Sequence, residues 1–339
     1  MQVKSHITTH RAPHPVDERL EALRRWLAGP LAGTDYTLAP ASADASFRRY
    51  FRATLADGRS LVAMDAPPDK EDCRPYVRIA GLLRAAGVHA PQIHAEDHAQ
   101  GFLLLEDLGS TTYLEAFAGR DPAPLYAAAM QALVRWQLAS RPGVLPEYDR
   151  ALLERELQLF PDWYLGRHLG RAPAGADALD LRQAFDRVLA NNLAQPRVYV
   201  HRDYHSRNLM IGEPLPGVLD FQDAVYGPIT YDLVSLLRDA YVSWDEERVL
   251  DWAIRYWEQA RRAQLPVAAD FADFYRDFEW MGVQRQLKVA GIFARLRHRD
   301  GKERYLADIP RVLDYLLAAC RRYRELHPLA LLVERVQAA

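Results

Sequence analysis

Residues 201 to 208 read His201-Arg202-Asp203-Tyr204-His205-Ser206-Arg207-Asn208, directly after the apolar run Val198 to Val200. The H-R-D-x-x-x-x-N spacing is that of a loop serving phosphoryl transfer from ATP. Twelve residues beyond Asn208, at the end of a second short apolar run, stands Asp220 in Leu219-Asp220-Phe221. Phosphoryl transfer asks little covalent work of a protein. The site must position an acceptor hydroxyl and neutralise phosphate charge through Mg²⁺. Asp203 has the chemistry to take the proton of that hydroxyl, a contribution of about 10²–10⁴-fold. Asn208 and Asp220 offer the hard oxygen donors that Mg²⁺ prefers. His201 suits holding the loop backbone. Two other readings compete: a chance run of polar loop residues, or a transition-metal site of His201, Asp203 and His205. His-x₃-His serves metals on helices, whereas a strand leading into the motif argues for a loop.

The elements around this stretch fall into two styles. Apolar spacing predicts a first helix over Val16 to Ala28, stopped by Gly29-Pro30, then strands Phe47 to Leu55 and Ser60 to Met64 joined across Asp57-Gly58 as a hairpin. A helix over Lys70 to Ala86 follows, closed at Gly87, and then strands Gln92 to Ala95 and Gly101 to Leu105. From Leu108 onward, Pro124–Ala139, Arg150–Leu169, Ala178–Leu193, Glu246–Ala263, Ala268–Leu296 and Ile309–Leu326 have helical periodicity, interrupted by strands Arg197–Val200 and Gly217–Leu219. The expectation is an α+β, bilobal chain: a small β-rich N-lobe over residues 1–107 and a larger, mostly helical C-lobe over 108–339, with a small-molecule cleft between them. No internal repeat or low-complexity stretch is visible.

Composition narrows the partners. The 339 residues carry 43 Lys+Arg against 45 Asp+Glu, a formal charge of −2, which disfavours a nucleic-acid partner. No apolar run reaches a membrane span, and the first fifteen residues lack a signal-peptide core, so cytoplasmic residence with no membrane partner is expected. No obligate protein partner is evident. Cys73 and Cys320 lie far apart and read as thiols of a reducing compartment. His6, His10 and His14 lack Cys or acidic company and read as a solvated tail. Only four lysines occur, Lys4, Lys70, Lys288 and Lys302. A role that demands lysine therefore has few candidates.

The segment Val200 to Leu209, followed by Val218-Leu219-Asp220-Phe221-Gln222-Asp223-Ala224, Gly227-Pro228 and Tyr231-Asp232-Leu233, resembles the signature of the aminoglycoside phosphotransferase and choline kinase superfamily. The resemblance covers most of the chain and implies a protein-kinase-like fold, ATP and Mg²⁺ as cofactors and a small-molecule acceptor. Phe221-Gln222 in place of Phe-Gly, with no Ala-Pro-Glu platform, leaves no seat for a peptide. Asp44 to Arg52, Met64-Asp65-Ala66-Pro67-Pro68 and Gln284 to Phe293 are most similar to the branch acting in cell-wall recycling on the anomeric C1 hydroxyl of N-acetylmuramate and N-acetylglucosamine. That likeness implies an α-1-phosphate product. Another small-molecule kinase of this fold, or a non-catalytic ATP-binding pseudokinase, stays as the alternative.

The resemblance also assigns residues. Phosphate approach falls to Ser42 and Ser46 in the Ser42-Ala43-Asp44-Ala45-Ser46 stretch that replaces a Gly-rich loop. The strand Leu61 to Asp65 has Met or Asp where a phosphate-gripping lysine would stand. Lys70 at its helix start is the substitute candidate, with Arg49 or Arg52 behind it and a plain solvent-facing lysine as the other reading. Backbone groups of Glu106 to Leu108 form the expected hinge to adenine. His205, Arg207, Gln222, Asp223 and Tyr226 are candidates for the sugar. Arg285 and Lys288 are candidates for the lactyl carboxylate of N-acetylmuramate, against a plain polar helix face. Asp232 reads as a cap and brace for the loop. Trp280, Phe278, Phe293 and the stripe Phe271, Phe274, Tyr275, Phe278 read as core.

Overall fold

The computed structural model describes residues 17–42 and 47–337; Ser46 and the three tail histidines lie outside them, and the side chain of Ser42 is likewise not described. The chain divides into two compact units, one ending at Arg74 and resumed over Gln92–Asp107, the other comprising Pro75–Pro91 and the chain from Leu108 onward.

The first unit holds α1 (Glu18–Leu27) and an antiparallel sheet of β1 (Tyr36–Ser42), β2 (Arg49–Leu55), β3 (Ser60–Asp65), β4 (Ile93–Asp97) and β5 (Phe102–Glu106), in the order β1-β2-β3-β5-β4. The β2–β3 hairpin turns at Asp57-Gly58, where Gly58 has φ 86° and Asp57 accepts from the Arg59 N–H at 3.0 Å. That left-handed backbone is what glycine allows at a turn. The core beneath the sheet joins Leu23, Leu27 and Leu31 to Phe51, Ala53, Ala63, Phe102 and Leu104. Asp65 ends β3 fully buried and is taken by Arg19 (Nε to Oδ1, 3.1 Å) and Arg49 (Nη2 to Oδ2, 2.6 Å). Arg49 also reaches Asp17, and Arg52 pairs with Asp107 at 2.6 Å.

The second unit contains α2 (Arg74–Ala85, entering the unit at Pro75), α3 (Tyr113–Ala116), α4 (Pro122–Leu138), α5 (Arg150–Leu157), α6 (Gly175–Ala194), α7 (Tyr231–Leu237), α8 (Glu246–Arg262), α9 (Phe271–Asp300), α10 (Ile309–Arg322) and α11 (His327–Gln337). Two short antiparallel pairs, β6 (Arg197–Val200) with β9 (Val225–Pro228) and β7 (Leu209–Met210) with β8 (Gly217–Val218), sit among these helices. The helix expected from Lys70 begins only at Arg74, and Lys70 lies in the turn ahead of it. It belongs with the second unit because Tyr76 packs on Phe221 at 4.7 Å, and the carbonyl of His89, four residues beyond the helix, accepts from the Val218 N–H at 2.8 Å. The predicted helix Arg150–Leu169 is two elements. After α5 the chain runs as a π-helix over Phe160–His168, closed by the Leu169 N–H on the Tyr164 carbonyl five residues back.

The long helix α9 is covered on every side through its middle, from Phe278 to Ala290. Trp280, Phe278, Phe274 and Phe293 are core, as expected. Gly291 on this helix presses against Leu159, where an added Cβ would come within 2.4 Å of a backbone carbon. Because that neighbour is main chain, Gly291→Ala is expected to destabilise the protein by about 1–3 kcal/mol, the usual cost of overpacking. Urea denaturation monitored by circular dichroism would measure it; an unchanged midpoint would show that Leu159 can move aside.

Candidate active site

Val200 pairs with Val225, and the chain leaves β6 into the loop 201–208 before turning through the β7–β8 hairpin. Asn208 closes that hairpin, its carbonyl accepting from the Leu219 N–H at 2.9 Å, and this places Asp220 beside it. The Asn208 Nδ2 donates to the Asp203 carbonyl at 3.0 Å and faces Asp220 Oδ2 at 3.4 Å. The three residues singled out by spacing are therefore gathered within one loop and hairpin. Hairpin geometry, a local property, is what made them legible.

The loop is held by side chains from elsewhere. Asp232, in the first turn of α7, accepts from the N–H groups of His201 (2.7 Å) and Arg202 (3.0 Å). Burial pushes its carboxyl up to about 7, while the two N–H donors pull the other way. Thr230 stands at the N-cap position of α7, so Asp232 braces the loop without capping the helix. Asp239, which the sequence reading passed over, accepts from Ser206 N–H and Tyr241 N–H, each at 2.8 Å. The Tyr204 hydroxyl donates to the Ala129 carbonyl of α4 at 2.8 Å. Arg202 and Asp220 have φ of 77° and 60°, so two of the three non-glycine residues with positive φ among those described flank the site. Backbone strain of this kind persists where the surroundings over-determine it.

Both ring nitrogens of His201 are committed. Its Nε2 donates to the Leu219 carbonyl at 3.0 Å, and its Nδ1 accepts from the Asp203 N–H at 3.3 Å. That pattern requires one neutral tautomer and removes the transition-metal reading. No group of three or more His, Cys, Asp or Glu side chains suited to a metal occurs among the described residues. Asn208 and Asp220 instead offer an amide and a carboxylate, a donor pair suited to a hard divalent cation.

Asp203 is partly exposed, and its carboxylate makes no hydrogen bond or ion pair among the described residues. Burial works to raise it, but the charges of Lys288, His205, Arg202 and Arg285 hold it below its ordinary value. Gln222 donates to Asp220 Oδ1 at 3.0 Å and keeps its own oxygen without a partner; His205 Nδ1 and Arg285 Nη1 are likewise buried and unpaired. Arg207 lies over the Tyr241 ring at 3.7 Å, and His205 meets the same ring edge-on at 5.3 Å. Asp223 is exposed and contributes only its carbonyl, to Arg202. The Tyr226 ring meets Arg197 and Tyr199 on β6. Neither Arg285 nor Lys288 lies on an exposed polar face: both are buried, and Lys288 is taken by Glu156 at 3.0 Å and by the Tyr231 hydroxyl at 2.9 Å.

Of the residues expected to hold the nucleotide, Lys70 is half exposed and pairs with its neighbour Asp69 at 3.4 Å. Glu106 ends β5 with its N–H on the Gln92 carbonyl, while Leu108 is buried in the second unit, so the boundary between the units falls at Asp107 and Leu108.

A strand-held His-Arg-Asp loop, with its asparagine and a second aspartate brought together by a hairpin, defines a kinase-like phosphotransferase. Residues 37–271 match the model of the phosphotransferase enzyme family, and the chain belongs to that family. Two relatives, both named N-acetylmuramate/N-acetylglucosamine kinase, are similar over most of their length. The one from Neisseria meningitidis is 54% identical over 94% of this chain and 96% of its own, and the one from Pseudomonas aeruginosa is 56% identical over 85% of each. Among solved structures, a choline/ethanolamine kinase family protein from Mesorhizobium loti superposes with a TM-score of 0.61 at 17% identity, covering 93% of this chain and 99% of that one. An amicoumacin kinase superposes at 0.59 and 14% identity over 89% and 96%. These two likenesses show the fold, an α+β kinase-like one. No helix among the described residues is long and apolar enough to cross a membrane.

The neutrality of His201 has a consequence for stability. Burial is the main cause that pushes its pKa down to about 4 from the ordinary 6.5. The folded state therefore binds fewer protons than the unfolded chain between those values. Its contribution is complete above pH 6.5 and is lost as pH falls toward 4, at about 1.4 kcal/mol per pH unit and about 3 kcal/mol in all. His201→Asn should lose this part of the slope when urea stability is compared at pH 7 and pH 4.5. An equal slope in both proteins would show that His201 does not titrate in that range.

Proposed function

We propose that this protein transfers the γ-phosphoryl group of ATP to the anomeric C1 hydroxyl of N-acetylmuramate and N-acetylglucosamine. One observation carries the site assignment: the Asp203 carboxylate makes no hydrogen bond or ion pair among the described residues, while its main-chain carbonyl accepts from the Asn208 amide that faces Asp220. The choice of acceptor is supported by the two relatives named N-acetylmuramate/N-acetylglucosamine kinase, 54% and 56% identical to this chain over the aligned residues.

Asp203 accepts a hydrogen bond from the acceptor hydroxyl and receives its proton as the sugar oxygen bonds to the γ-phosphorus. The bond from that phosphorus to the β,γ-bridging oxygen breaks, and ADP leaves. Asn208 and Asp220 would hold Mg²⁺, which when bound neutralises charge on the phosphates. Ser42, Ser46 and Lys70 are assigned to the phosphates, and the backbone of Glu106 and Leu108 to adenine. His205, Arg207, Gln222 and Asp223 are assigned to the sugar, with Tyr226 at the margin. Arg285, with a buried guanidinium nitrogen that nothing pairs, is assigned to the lactyl carboxylate of N-acetylmuramate; Lys288 is already engaged by Glu156.

ATP consumption with N-acetylmuramate, N-acetylglucosamine, choline and kanamycin tests the acceptor class, and phosphorus NMR of the product tests the position. The expected product has the coupling of an anomeric phosphate; a phosphomonoester on another hydroxyl would overturn the assignment, and turnover of the amines alone would transfer it to a cationic acceptor. Asp203→Asn should lose at least about 10²-fold in kcat while nucleotide binding, measured calorimetrically, is retained. Full turnover would remove Asp203 as the base. Arg285→Gln should raise KM for N-acetylmuramate by about 10-fold or more, the worth of a hydrogen bond to a charged group, and change KM for N-acetylglucosamine far less. Equal effects on both sugars would detach Arg285 from the carboxylate.

A further inference from the structure

Glu156 lies outside the phosphoryl-transfer motif, at the end of α5, and is 5% exposed. Its Oε1 takes Arg202 Nη2 at 2.6 Å and Lys288 Nζ at 3.0 Å. Its Oε2 accepts from Gln284 Nε2 at 3.1 Å and from the Tyr148 hydroxyl. Lys288 donates in addition to the Tyr231 hydroxyl. One buried carboxylate thus gathers a loop residue, two residues of α9 and a tyrosine. Burial would raise the Glu156 carboxyl, yet Lys288 and Arg202 hold it below its ordinary value, so it is ionised.

The contrast with Asp203 is informative. Asp203 follows Arg202 directly and feels the charge of Lys288 more than that of any other cation, yet it is the carboxylate without a partner. In a buried setting, opposite charges a few ångströms apart attract strongly. A Lys288 released from Glu156 would keep Asp203 as the other carboxylate whose charge acts on its ammonium, and a paired Asp203 would have its oxygens blocked against an incoming hydroxyl. We propose that Glu156 is a positioning residue for the transfer: by binding Lys288 and Arg202 it keeps the Asp203 carboxylate open to the acceptor. This rests on Asp203 being the base.

The experiment compares Glu156→Gln with the double variant Glu156→Gln/Lys288→Met, measuring kcat and the acceptor KM with N-acetylmuramate at saturating ATP, alongside thermal denaturation. Glu156→Gln is expected to lose about 10- to 100-fold in kcat with KM changed less than about 3-fold, and the double variant to regain at least about 10-fold, because the freed ammonium is gone. A purely structural brace predicts the reverse, a double variant no faster than the single one. Full kcat in Glu156→Gln, or no recovery in the double variant, overturns the assignment. Where Glu156→Gln does not fold, the double variant, which removes one anion and one cation together, decides alone: kcat above about a tenth of wild type supports the proposal and a lower value overturns it. Asp203→Asn, run in parallel, separates the two ideas. Its full turnover would remove the base on which this proposal rests, whereas an inactive Asp203→Asn beside a fully active Glu156→Gln would remove only the role of Glu156.

Discussion

Two adjacent N–H groups of the loop, those of His201 and Arg202, end on the single buried carboxylate of Asp232. Arg202 has a left-handed backbone that costs an ordinary side chain of order 1–3 kcal/mol and that no local preference supports. The conformation persists because its donors cannot be satisfied elsewhere: leaving a buried N–H unpaired costs about as much again. With the backbone turned at Arg202, the guanidinium is delivered to Glu156, and the following carboxylate, that of Asp203, stays unpaired. Asp239 repeats the device at Ser206, four residues further on. Helix α7 and the residues just beyond it therefore act as a rigid template for the loop.

The second constraint is electrostatic. Through its middle, α9 buries Glu279, Gln284, Arg285, Gln286 and Lys288, which a helix covered on all sides can tolerate only when partners are at hand. Most have them: Gln284 and Lys288 on Glu156, Gln286 on the Arg238 carbonyl, Glu279 on Arg322 and the Tyr323 hydroxyl. Arg285 Nη1 does not. Buried ion pairs add little net stability compared with apolar packing, so their presence on a central helix is better explained by placement of charge than by strength of fold.

What could be read from the sequence was local. A strand running into an eight-residue loop, then a tight hairpin, then Asp220, is specified by neighbours in the chain, and the structure returns it with Asn208 and Asp220 in contact distance. Of the residues whose roles depend on distant partners, Asp232 was reached through the family resemblance, and others were invisible. Glu156 and Asp239 sit in stretches with no motif, and nothing local distinguishes a carboxylate that braces a loop from one that faces water. For the same reason Arg285 and Lys288 passed equally for a polar face: the usual inference from periodicity assumes one wet side, which α9 lacks through its middle. Strand β1 escaped because Pro40 interrupts it, a residue an edge strand can accept. The π-helix after α5 escaped because a shift from four-residue to five-residue bonding leaves no mark on apolar spacing.

The end of β3 turns the shortage of lysine into a statement about charge. Where a phosphate-gripping cation was sought, the chain buries an anion, and Asp65 with Asp17 takes up Arg19 and Arg49. Two carboxylates and two guanidinium groups leave that cluster with no surplus positive charge for a nucleotide. Arg52 is similarly balanced by Asp107. Pulling Arg52 toward a phosphate would take the cation from Asp107, whose side chain is almost fully buried, and pulling Arg49 away would leave buried Asp65 to Arg19 alone, each at a cost in free energy. Lys70 is the one lysine among the described residues of the first unit, half exposed and facing only Asp69 at 3.4 Å, so it can be recruited without uncovering a buried charge. That difference in cost, rather than proximity in sequence, is the reason to place the phosphate grip on Lys70 instead of on Arg49 or Arg52.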